Sequence, residues 1–164
     1  MILTYYTGQT GLDRTSNVLD GGALSTVAYA TGDALFDQIQ VINAGRYYGG
    51  TGVVNRIMLT ESSTGALKSP HIKAFIFGAN YNADQQAAFS IDSTEARNLL
   101  IGVIDLPKAN WVLQGGVNVI YADDNLPFGL YELSTSIYVV LVVHENVTFN
   151  ATHSITGKLI LQRD

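Results

Sequence analysis

The sequence predicts an all-β protein: a jelly-roll-like β-sandwich of about eight strands with one short helix and an N-terminal arm. Three observations predict it. Ser136-Ile137-Tyr138-Val139-Val140-Leu141-Val142-Val143-His144 is a strand too apolar to show one face to water. A polar loop follows it, and Ile155-Thr156-Gly157-Lys158-Leu159-Ile160-Leu161-Gln162 then nearly ends the chain. Upstream, apolar stretches of strand length recur with Gly, Pro, Asn and Asp clusters between them.

In chain order, residues 1–23 read as the arm. Thr, Ser, Asn, Asp and Gly mix with isolated apolar residues until Gly21-Gly22, leaving residues 24–164 as the sandwich. Ile2, Leu3, Tyr5 and Tyr6 are too apolar for a free tail. They are expected either to pack back on the domain or, the reading favoured for an arm at the end of a sandwich, to grip a neighbour. Leu24 to Ala30 is the first strand candidate. Thr31-Gly32-Asp33 turns the chain into Leu35 to Asn43, where Leu35, Ile39 and Val41 share one face and Gln38 and Gln40 the other. Ala44-Gly45 and Gly49-Gly50-Thr51-Gly52 bracket a loop that carries Arg46, Tyr47 and Tyr48. Val53 to Thr60 follows, with Val53, Ile57 and Leu59 expected inward and Arg56 opposite.

Glu61 to Pro70 reads as a polar loop. His71 to Phe77 alternates Ile72, Ala74 and Ile76 against Lys73, Phe75 and Phe77. Apolar residues on both faces predict a central strand. Gly78 to Asn98 is the longest connection, and Asp92-Ser93-Thr94-Glu95 opens a short helix to about Asn98, with Asp92 as its N-cap. Leu99 to Leu106 returns to strand until Pro107. Val112–Leu113 and Val117–Ala122 form a hairpin around Gly115-Gly116, and Asp123-Asp124-Asn125 turns into Leu126-Pro127-Phe128.

The chain has 164 residues and no cysteine, so disulfides, thiolate metal sites and cysteine nucleophiles are excluded. Charged residues are 14%, well below ordinary soluble domains, as expected either of a surface largely covered by partners or of a β-rich protein that uses Thr, Ser and Asn as its polar residues. The net charge is −5 and the basic residues are scattered singly, so no stripe exists to neutralise a phosphate backbone and no nucleic-acid partner is expected. The longest apolar run, Ile137 to Val143, is far too short to span a bilayer, and no membrane partner is expected. The N-terminus lacks the pattern of a secretory leader, which predicts synthesis in a cytoplasm.

Chemistry is poorly signposted. His71, His144 and His153 do not lie two or four residues apart, so neither a His-x-His pair nor a helical zinc motif exists. His144-Glu145 would orient a proton transfer only if a third group converged on it, and otherwise reads as a polar strand end beside an aggregation-prone run. No serine elbow and no phosphate loop occurs. Asp123-Asp124-Asn125 lacks the ligand spacing of a calcium loop, and Asx-rich turns need no metal. Asn146-Val147-Thr148 and Asn150-Ala151-Thr152 match the glycosylation acceptor pattern, read here as coincidence in a Thr- and Asn-rich loop. No catalytic, cofactor-binding or metal residue is therefore assigned, no cofactor is expected, and the chain is not expected to be an enzyme. The loop tyrosines are the better clue, since tyrosine offers contact area at low entropy cost. The interface candidates are Ile2, Leu3, Tyr5, Tyr6, Arg46, Tyr47 and Tyr48.

The run Ala88-Phe89-Ser90-Ile91-Asp92-Ser93-Thr94-Glu95-Ala96-Arg97-Asn98-Leu99-Leu100-Ile101-Gly102-Val103-Ile104 adds a family likeness. A Phe-Ser-x-Asp turn leads through a short helix to a Leu-x-Gly-Val-Ile strand. With Leu126-Pro127-Phe128 and the two closing strands, this order resembles the jelly-roll capsid decoration (cement) proteins of tailed bacteriophages over roughly residues 35–164. The resemblance implies a structural virion protein that assembles as a homo-dimer or homo-trimer. It would bind the major capsid protein on the exterior of the head and stabilise the capsid by bridging capsomers. It carries no catalytic residue with it. The competing expectation is a tail-fibre or lectin-like carbohydrate-binding module using Tyr47, Tyr48, Tyr81 or Trp111.

Overall fold

The computed structural model describes residues 13–94, 99–130 and 134–163. Nine strands form among them: β1 (Asp13–Leu19), β2 (Ile39–Val41), β3 (Thr51–Ser62), β4 (Ile72–Phe77), β5 (Leu100–Leu106), β6 (Val112–Gln114), β7 (Val117–Gly129), β8 (Ile137–Val143) and β9 (Ser154–Arg163). They build a five-stranded sheet, β1-β9-β3-β7-β6, and a four-stranded sheet, β2-β8-β4-β5. Every pairing is antiparallel.

The pairings are nested. β1 pairs with β9, β2 with β8, β3 with β7 and β4 with β5, so the chain runs out and returns along itself as one long ribbon. Rolling that ribbon adds the β3–β9 and β4–β8 pairs and splits it into two facing sheets. This is a jelly-roll-like sandwich, with β6 as an additional strand on one edge.

Alternation along the strands builds the core between the sheets. Ile57, Leu59, Ile72, Ala74, Ile76, Ile120, Ile137, Val139, Val143, Leu159 and Leu161 all face inward and are fully buried. In β3 the inward residue near the start is Val54, not the expected Val53. The register against both neighbours steps between Val54 and Arg56, so Val54 and Ile57 both reach the core despite their odd spacing.

The double-sided apolarity of β8 has a tertiary cause. One face meets the main core, while Val140 and Val142 on the other pack with Ala34, Phe77 and Ala83. The long connection after β4 lies over this outer face and brings Tyr81 and Phe89 onto it. Tyr81 stacks on Phe77 at 4.6 Å between ring centres, and Phe89 lies 4.9 Å from Phe75. As its two-sided sequence predicts, β4 is central, between β8 and β5.

Several local expectations are corrected. Part of the expected arm, Asp13–Leu19, is β1 and completes the five-stranded sheet by pairing along β9. Leu24 to Ala30 forms no strand. Its buried Tyr29 makes a single bridge to Val147 and uses its hydroxyl to fasten the segment, accepting from the Ser25 N–H and donating to the Leu35 carbonyl. Asp123-Asp124-Asn125 is not a turn, since β7 continues through it to Gly129. Arg56 on β3 grips Asp123 with two hydrogen bonds, and Asn55 donates to Asn125 at 3.3 Å across the stepped register. Turn-forming residues here accommodate a bulge instead of reversing the chain. Past Val119, where its pairing with β6 ends, β7 is itself an edge strand, the place where a sheet accommodates a proline such as Pro127. The expected helix lies mostly outside the described residues. Within them, Asp92 accepts from the Thr94 N–H at 2.7 Å, as an N-cap does. A short 3-10 helix at Lys108–Asn110, after Pro107, was not anticipated from the sequence.

Candidate functional site

The antiparallel register sorts the loops onto the two ends of the sandwich. Asp13, Arg163 and Gly52 lie side by side, so the chain enters the sheet beside the start of β3. The Arg163 guanidinium donates to the Asn43 carbonyl at 2.8 Å, which places the loop between β2 and β3 at that same end. This loop carries Arg46, Tyr47 and Tyr48. Tyr47 is 58% exposed and Tyr48 69%, and Arg46 is also exposed.

The loop is held at several points. The Gly45 N–H donates to the Thr135 carbonyl, the Gly49 N–H to Ser134 and the Gly50 N–H back to Tyr47. Leu130 N–H closes the set by donating to Gly50. A pinned loop presents two aromatic rings to solvent with little ordering entropy left to lose on contact. Ile2, Leu3, Tyr5 and Tyr6 lie outside the described residues.

The other two aromatic candidates are engaged in the fold. Tyr81 is stacked on Phe77, and its hydroxyl donates to the Ser90 carbonyl. Trp111 packs against the core and donates its indole N–H to the Pro70 carbonyl at 2.8 Å. Of the four candidate aromatics, Tyr47 and Tyr48 are therefore the ones that stand exposed for a carbohydrate platform.

At the opposite end the fold gathers charges that the sequence scatters. His71 Nε2 lies 2.7 Å from Asp105 Oδ1, across the β4–β5 pair. Glu145 accepts from the His71 backbone N–H at 2.9 Å and from Lys108 Nζ at 2.8 Å. The His144 ring stands 5.4 Å from that of His71. The third group expected to be missing from His144-Glu145 is therefore present. Both carboxylates make bonds that join neighbouring elements. The arrangement works as a clasp over the ends of β4, β5 and β8. Among the described residues no three His, Asp or Glu side chains are placed to share a metal ion.

The clasp has an acid-sensitive member. Burial first, and then the Lys73 and His71 charges, hold the His144 imidazole below its ordinary value. Burial lifts the Glu145 carboxyl, but the Lys108 ammonium and the His71 N–H outweigh it and leave it below the usual range. Both folded values lie under their unfolded ones, so the folded state binds fewer protons. The stability these groups contribute is present at neutral pH and lost on acidification, for His144 from about pH 6.5 downward. We expect the thermal midpoint to fall between pH 7 and pH 5, and the His144→Gln variant to lose part of that slope. Parallel pH profiles for the two proteins in calorimetry would rule His144 out as the source.

A buried carboxylate underlies the same end. Glu61 is fully buried at the end of β3, and its two oxygens accept the Lys68 N–H at 2.7 Å and the Ser69 N–H at 2.8 Å. Its neighbour His153, equally buried, reaches the Ala66 carbonyl with Nε2 at 3.0 Å. Sequence reading placed both in polar loops, and nothing local distinguishes them from solvated residues. Only the alternation Ile57, Leu59, Glu61 gives a signal, since it assigns Glu61 to the inward face.

Fold and site together define an all-β, jelly-roll-like sandwich with an aromatic loop at one end and a polar clasp at the other. No protein-family model matches the chain, and no curated protein matches its sequence. Among solved structures, it is similar to a chain of maize chlorotic mottle virus determined by single-particle analysis, with 10% identity, coverage of 92% of this chain and 93% of that one, and a TM-score of 0.32. It is also similar to a chain of sacbrood virus of honeybee in expansion state II, with 13% identity, 92% and 78% coverage, and a TM-score of 0.27. A chain from a marine algae virus of the order Picornavirales shows 7% identity, 92% and 67% coverage, and a TM-score of 0.27.

Proposed function

We propose that this chain is a structural virion protein that binds the outside of a phage head and stabilises the capsid by bridging capsomers. Its partner is the major capsid protein. The observation that carries the proposal is the pinned, solvent-facing Arg46-Tyr47-Tyr48 loop, at the end of a rigid sandwich where the N-terminal segment also enters the sheet. The sequence resemblance to cement proteins points the same way. A clamp needs a stiff body and several weak contacts rather than one deep site, and repeated attachment around a shell converts modest affinities into tight avidity.

The experiment is binding to purified heads that lack the protein. The Tyr47→Ala/Tyr48→Ala variant should bind roughly ten-fold or more weakly, the scale of losing one or two aromatic anchors. Removal of residues 2–11 should weaken binding comparably and leave the sandwich folded. The deletion must stop there, because Asp13–Leu19 is a sheet strand. Undiminished binding by both variants would overturn this assignment of the surface. Glycan-array binding that depends on Tyr47 or Tyr48 would favour the lectin-like alternative.

A further inference from the structure

The four sheet edges among the described residues are unequal. β1 contains Asp13 and Arg14, β2 has Ile39 and Val41 buried, and β5 carries Asp105, which His71 engages. β6 is different. All three of its residues are exposed, with Val112 at 52% and Leu113 at 65%, so apolar side chains project from both of its faces. From Trp111 to Ala122 no side chain carries a charge, in a chain whose net charge is −5. Proteins ordinarily blunt a free strand edge by making it short or with lysine, proline or a bulge, and β6, at 3 residues, is short but has no lysine, proline or bulge.

The register shows what the edge offers. Gly115 and Gly116, at φ +58° and +94°, form a two-residue hairpin turn between Gln114 and Val117. The pair that closes such a turn shares its hydrogen bonds, and the next pair, Leu113 with Asn118, does not. The Leu113 N–H and C=O therefore point away from β7, to the open edge, and among the described residues β6 has no second neighbour in the sheet.

We infer that β6 is a self-association edge, on which a second copy of this chain adds its own β6 antiparallel, with Leu113 opposite Leu113 across a two-fold axis. An antiparallel pair of identical strands is self-complementary. Centred on Leu113, it satisfies both outward backbone groups in each copy and joins the two five-stranded sheets into one. Repulsion between two acidic chains is least where both are uncharged. On the outer face, where Val112 lies beside Val119, Val112 of each copy then lies opposite Gln114 of the other. The inference does not depend on the capsid reading, and it specifies a dimer and not a trimer.

The chain lacks cysteine, so a single introduced thiol reports directly on the axis. Residues opposite each other in a hydrogen-bonded pair have Cα atoms about 5.5 Å apart, within disulfide reach. Under mild oxidation Leu113→Cys should become a covalent dimer on a non-reducing gel, while Val27→Cys, equally exposed, should remain a single chain. Leu113→Pro removes an outward N–H and no bond to β7, so the sandwich should stay folded and lose the dimer. The sedimentation-equilibrium mass should fall from twice 17.7 kDa to 17.7 kDa. A monomeric or trimeric parent chain, or a dimer that Leu113→Pro leaves intact, would overturn the inference. Head binding is measured separately, so failure here and failure of the capsid reading are distinguishable.

Discussion

Glu61→Ala is expected to destabilise the fold by about 3–5 kcal/mol, the largest single effect we foresee. Glu61 is completely buried, and its carboxylate oxygens hold the backbone N–H groups of Lys68 and Ser69. Hydrogen bonds to a charged acceptor contribute about 1.5–3 kcal/mol each, and their loss leaves two part-buried donors without their acceptor. Ser69 also sits at φ +50°, a left-handed conformation that a non-glycine residue adopts only when its surroundings hold it there. The held turn leads into Pro70, whose carbonyl receives the Trp111 indole. Removal of the carboxylate thus loosens the β3–β4 loop and the packing of Trp111 together. In a chain of this length the thermal midpoint should drop by roughly 10 °C. Glu61→Gln, with one acceptor oxygen, should fall between. If Glu61→Leu unfolds at the parent temperature, the carboxylate is not what organises this loop.

Gly157→Ala should cost about 2–4 kcal/mol, although it adds only one methyl group. Gly157 faces the core from β9, between Leu19 of β1 and Leu59 of β3. A Cβ there would stand 2.5 Å from the Met58 carbonyl oxygen and 2.6 Å from Leu59 Cδ2. The leucine can rotate away, but the carbonyl belongs to the paired β3 backbone and moves only if the β3–β9 ladder moves. That cost exceeds the gain of about 0.4–1 kcal/mol from restricting the unfolded chain. Gly129→Ala is the control, because nothing lies within 4 Å of a Cβ at that position. Chemical denaturation of the pair should show a large shift for Gly157 and almost none for Gly129. Equal midpoints would mean that the sandwich has slack at its centre.

The candidate surfaces were legible to different degrees. Tyr47 and Tyr48 stand out because glycines flank them, and the fold leaves both exposed. Tyr81 and Trp111 also lie in loop-like sequence, without flanking glycines, and packing engages both. The clasp of His71, Asp105, Lys108 and Glu145 was not legible, since its members are dispersed and meet only where β4, β5 and β8 end together.

By itself the sequence determined the β class, the two-sided burial of β8, the central place of β4 and the turn at Gly115-Gly116. Each is a matter of side-chain alternation or backbone freedom over a few residues. The tertiary structure alone decided that Asp13–Leu19 is a sheet strand and that β7 runs straight through Asp123-Asp124-Asn125. Strand pairing joins residues far apart in the chain. A segment's partner decides whether polar residues turn, bulge or are buried, and no local pattern carries that information.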